Sequence, residues 1–83
     1  MNETEIIEIL KSCGFKENTY GGVQGVMKGI QFTICMHPLK GLCFMGHKID
    51  KRTFSEFEEY LSTKDITKEA IAIKILNICE EYS

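Results

Sequence analysis

The sequence predicts one small α+β domain of order α-β-β-β-α-α, a three-stranded antiparallel meander with one helix before it and two after. Three observations carry that reading. Apolar residues recur at three- and four-residue spacing near both ends of the chain. Through the middle they alternate with other residues, and glycines or Pro38 stand where one period gives way to the next. The 83 residues suit a single domain, 1–83, and a 43% hydrophobic share supplies its core. A chain of this length buries roughly two-thirds of the surface its unfolded form exposes, so that core is adequate but marginal.

The first helix is expected from about Thr4 to Cys13. Ile6, Ile9, Leu10 and Cys13 form one apolar stripe, Asn2 or Thr4 can cap the start, and Gly14 can end it. A polar connector, Lys16 to Gly22, leads into alternation from Val23 to Met27. Lys28-Gly29 then makes a tight turn into a second strand, Ile30 to Met36. His37 to Gly41 reverses the chain again, and Leu42 to Ile49 forms the third strand.

If Pro38 and Gly41 flank the second turn, Met36 faces Cys43, Ile34 faces Met45, Phe32 faces His47 and Ile30 faces Ile49. That register puts Cys43, Met45 and His47 on the core side. The opposite side then holds Val26, Cys35, His37, Leu42 and Phe44. A second helix is expected from Thr53 to Leu61. Thr53 with Glu56, or Ser55 with Glu58, forms its capping box, and Phe54, Phe57 and Leu61 form its buried stripe. The last helix runs from Asp65 or Thr67 to about Tyr82, burying Ile71, Ala72, Ile75, Leu76, Ile78, Cys79 and Tyr82. Ile73 lies nearly opposite that face, with Ile66 near the same meridian.

Composition narrows the function classes. Ten basic and twelve acidic residues give a net charge of −2, and only Lys48, Lys51 and Arg52 cluster, around Asp50. Nucleic-acid binding needs cations gathered on one face, so none is expected. The acidic start lacks the basic, apolar pattern of a secretory signal, and no stretch approaches the length of a membrane span. The expected location is cytoplasmic, with no membrane partner. Cys13, Cys35, Cys43 and Cys79 show no C-x-x-C spacing and sit in apolar stretches, which reads as buried, reduced thiols.

The candidate chemistry is sparse. In the register above, Cys35 and His37 share one sheet face while Cys43 and His47 share the other, so a four-ligand metal site cannot close. Cys35 with His37 resembles a thiolate–imidazole pair in composition, but no orienting acid or oxyanion donor accompanies it. The Gly21-Gly22 stretch follows a helix and precedes a strand, the reverse of a phosphate-binding loop. Glu58-Glu59 and Glu80-Glu81 are neighbours whose side chains diverge on a helix. No catalytic residue, metal or cofactor is therefore expected.

Exposed apolar surface is what remains. Val26, Cys35, Leu42 and Phe44 on the sheet, and Ile66 and Ile73 near the last helix, are the expected partner-binding residues. Burying a patch of ~400 Å² contributes on the order of 10 kcal/mol before association costs, which is sufficient for a dimer. The expectation is a non-catalytic protein-binding module, a small regulator, inhibitor or accessory protein of the size found in phages and mobile elements. Its partner is another protein or a second copy. The alternatives are a thiol or metal protein using Cys35 and His37, and a small-molecule sensor on the open sheet face.

Overall fold

The computed structural model describes residues 1–49 and 56–82. Helix α1 spans Glu3–Ser12, followed by strands β1 Lys16–Glu17, β2 Val23–Met27, β3 Ile30–His37, β4 Gly41–Lys48 and β5 Glu56–Leu61. A 3₁₀ turn, Thr63–Asp65, leads into helix α2, Lys68–Glu81. All five strands form one antiparallel sheet in the order β1-β2-β3-β4-β5. The domain is α+β, but the three-stranded meander and the α-β-β-β-α-α order are overturned. The sheet has five strands, and the described helices α1 and α2 flank it in the chain.

The local signals for α1 work as the residue types dictate. The Asn2 side chain accepts a hydrogen bond from the Glu5 amide at 2.8 Å, and Gly14 leaves the helix at a φ of 104°. Asn18 organises the connector, its Oδ1 accepting from the amides of Tyr20 and Gly22, both at 3.0 Å. Lys28 and Gly29 both take positive φ, 51° and 77°, so the expected turn joins β2 to β3 with Met27 opposite Ile30.

Three expectations fail. Lys16–Glu17, expected in a polar connector, is an edge strand paired with Val23 and Gln24. The segment Glu56–Leu61 is a strand, not the end of a helix. Phe57, Glu59 and Leu61 point to the core side and Glu56, Glu58 and Tyr60 to the other, so a charged residue interrupts the apolar alternation. Glu59 is tolerated because Lys74 of α2 reaches it at 2.7 Å, with both side chains about three-quarters covered. The proposed caps Thr53 and Ser55, with Phe54, lie outside the described residues.

The register of β3 against β4 is also shifted by one residue. His37 pairs with Gly41, Cys35 with Cys43, Ile34 with Phe44 and Phe32 with Gly46. The loop therefore holds three residues, Pro38 to Lys40, and Gly41 absorbs the reversal at a φ of 100°. Because side chains alternate, this slip exchanges the faces of the whole of β4. Leu42 and Phe44 enter the core, while Cys43, Met45 and His47 move to the other face.

Both helices pack on one side. Ile6 and Leu10 of α1 and Ile71, Ile75, Ile78 and Cys79 of α2 join Val23, Ile30, Phe32, Ile34, Leu42, Phe44 and Phe57 in one buried cluster. A row across the sheet alternates glycine and phenylalanine: Gly25 opposes Phe32, Phe32 opposes Gly46, and Gly46 opposes Phe57. Phe15 fills the space above Gly25, meeting Phe32 edge-on at 5.6 Å between ring centroids. Phe32 meets Phe57 edge-on over Gly46, also at 5.6 Å, and Phe57 stacks on Tyr82 at 4.9 Å. The glycines let aromatic rings from separate strands touch.

The Lys74–Glu59 pair is the polar tie between α2 and β5. We expect Lys74→Ala and Glu59→Ala each to cost about 1 kcal/mol, with the double variant costing less than their sum. Urea unfolding of the four proteins checks this. Strict additivity would show the pair to be uncoupled.

Candidate functional site

Two surfaces remain as candidates, the sheet face away from the helices and the outer side of α2. The sheet face carries Gln31, Thr33, Cys35 and His37 from β3, Cys43, Met45 and His47 from β4, and Glu56, Glu58 and Tyr60 from β5. The side chains that the sequence reading set on opposite faces, Cys35 with His37 and Cys43 with His47, thus share one face.

At the hairpin end, Cys43 sits between its two cross-strand neighbours, Cys35 and Tyr60. Cys35 is half-buried and Cys43 is only 3% exposed, although Cys43 does not belong to the buried cluster under the helices. Burial pushes the Cys43 thiol above its ordinary range. The Tyr60 hydroxyl donates to Glu58 Oε2 at 2.7 Å, and that hydrogen bond to a carboxylate raises the phenol's pKa well above its ordinary value. The Lys40 ammonium lies 5.0 Å from the Tyr60 ring centroid.

His37 serves the turn. Its Nδ1 accepts from the backbone amides of Leu39, at 3.1 Å, and Lys40, at 3.0 Å, which places the ring proton on Nε2. Its ring stands edge-on to Tyr60 at 5.9 Å. That nitrogen is committed to holding Pro38 to Lys40 in place. At the far end of the face, Thr33, Met45, His47, Glu56 and Glu58 line a depression of about 450 Å³. His47 lies four residues along β4 from Cys43, about 13 Å at strand rise. Distance, not opposite faces, keeps the two ends apart. Among the described residues no group of three or more His, Cys, Asp or Glu side chains could hold a metal ion.

The partner-binding residues expected from sequence divide sharply. Leu42, Phe44 and Ile66 are 1%, 0% and 8% exposed, so the apolar patches built on them do not form. The register shift buries Leu42 and Phe44. Ile66 follows the 3₁₀ turn and precedes the Thr67 cap of α2, so it turns into the core instead of riding on the helix with Ile73. Cys35 stays half-buried beside Cys43, whereas Val26 and Ile73 are well exposed.

Leu76 and Ala72 are expected on the buried side of the last helix, yet both are exposed, Leu76 at 52% beside Ile73 at 57%. Two clefts meet at Leu76. One, of about 270 Å³, is lined by Cys13, Met27, Ala72, Ile75 and Leu76. The other, of about 320 Å³, is lined by Lys28, Ile73, Leu76, Asn77 and Glu80. Between Ala70 and Leu76 Lys74 is the one residue that is not apolar, so the sequence carries more apolar residues there than one buried stripe requires but does not say which of them stay exposed. Glu69 and Glu80 lie one turn beyond the strip at either end.

Among the described residues no helix is long and apolar enough to cross a membrane. No protein-family model matches the chain, and no curated protein or solved structure matches it.

Proposed function

We propose that this chain is a cytoplasmic, non-catalytic protein-binding module that docks through the outer side of α2. The observation that carries the proposal is the apolar strip of Ala72, Ile73 and Leu76, continuous with Met27 and Cys13 at the adjoining strand and helix. The free state of all four cysteines fits a reducing compartment.

The occupant we assign is a second copy of the chain. A two-fold axis over the helix sets Ile73 and Leu76 of one copy against Leu76 and Ile73 of the other. The two copies of the helix would cross at about 50°, the common angle of ridge-into-groove packing.

Light scattering on a concentration series tests the reading. The expected result is a mass rising toward that of a dimer, with Ile73→Asp remaining monomeric and folded. A wild-type chain that stays monomeric at every concentration would contradict it. So would an Ile73→Asp variant that associates as well as wild type.

A further inference from the structure

We propose that Cys35 and Cys43 form a reversible two-electron redox site, which closes to an intramolecular disulfide by exchange with a small disulfide of the glutathione type. The proposal rests on the β3–β4 register and is independent of the α2 surface. Directly opposed residues of an antiparallel pair have Cα atoms about 4.5 or 5.5 Å apart. Both spacings fall within the ~4.4–6.8 Å that disulfides span, so either kind of pair can close by side-chain rotation. Cys35 and Cys43 are such a pair, and both project from the face opposite the helices. The other two thiols lie on the helical side, Cys79 in the buried cluster and Cys13 packed against it.

The difference in exposure orders the chemistry. Cys35 is half-buried and reachable, whereas Cys43 is 3% exposed behind it. The Cys35 thiolate attacks one sulfur of the small disulfide. That S–S bond breaks, and the departing thiolate takes up a proton as the first free small thiol. The Cys43 thiolate then attacks the Cys35 sulfur of the mixed disulfide, forming the Cys35–Cys43 bond and releasing the second small thiol. Two protein thiols are oxidised and one small disulfide is reduced to two thiols, with both protons accounted for. Burial disfavours the Cys43 thiolate, so the second step quickens as pH rises. Tyr60, opposite Cys43 on β5, shields that thiol from direct attack.

The test equilibrates the full chain in glutathione buffers from reducing to oxidising, quenches with a maleimide in denaturant so that buried thiols react, and reads intact mass and peptide maps. The expected oxidised species is two hydrogens lighter, retains maleimide only on Cys13 and Cys79, and returns to four labelled thiols with a dithiol reductant. Cys43→Ser should accumulate glutathione on Cys35, while Cys35→Ser should take up none on the sheet. Four labelled thiols at the most oxidising ratio would overturn the proposal even if neither variant folds. A bridge that includes Cys13 or Cys79 would overturn it equally.

Discussion

Replacing Phe32 by alanine should destabilise the domain by about 3–5 kcal/mol, the range for truncating a fully buried aromatic side chain. Phe32 is 0% exposed and occupies the middle of the row that runs from Phe15 to Tyr82. Its cross-strand neighbours are Gly25 and Gly46, which have no side chains to move into the space left behind. The cavity therefore persists, and the edge-on contacts with Phe15 and Phe57 are both lost. Domains have only about 5–15 kcal/mol of stability, so the variant should be close to unfolding at room temperature. Urea unfolding followed by circular dichroism measures the change. A loss of less than about 1 kcal/mol would mean that Phe32 does not bridge the row.

Gly46→Val should have an effect as large or larger, by the opposite mechanism. A Cβ at Gly46 would collide with the Gln31 carbonyl oxygen and come within 2.9 Å of Phe57 Cζ. The first obstacle is the backbone of β3, held between β2 and β4 in the middle of the sheet, so it cannot yield as a side-chain tip would. The branched valine also displaces the Phe32–Phe57 contact that passes over this position. The expected outcome is a chain with little cooperative unfolding transition, and Gly46→Ala should fail in the same direction to a smaller degree. A Gly46→Val protein that melts near wild type would show that Gly46 does not face the phenylalanines.

These two positions also show how far the sequence could be read. The elements set by neighbouring residues were legible. Asn2 and Gly14 mark the ends of α1, Lys28-Gly29 fixes the β2–β3 register, and Thr67 caps the last helix. The elements set by distant residues were not. Phe54, Phe57 and Leu61 have helical spacing, and the strand alternation that competes with it puts Glu59 in a core position. Only Lys74, far along the chain, makes that position acceptable.

The β3–β4 register was hidden for a similar reason. Leu42 and Phe44 are more apolar than Cys43, Met45 and His47, but a turn flanked by Pro38 and Gly41 sets them on the outer face, and the length of that turn is not written in the hydrophobic pattern. The choice is made by Gly41 in the turn and by Phe32 and Phe57, which need a glycine between them. Of the candidate site, exposed Val26 and Ile73 could be read from local pattern. Leu76 and the Cys35–Cys43 pairing could not, because both depend on which face another element covers.

That register decides which side chains of β4 meet the helices and where the thiols lie. A nuclear Overhauser measurement on isotope-labelled protein tests it most directly. Backbone proton contacts are expected between Cys35 and Cys43 and between Ile34 and Phe44. Contacts between Met36 and Cys43 and between Ile34 and Met45, with those two pairs silent, would contradict it.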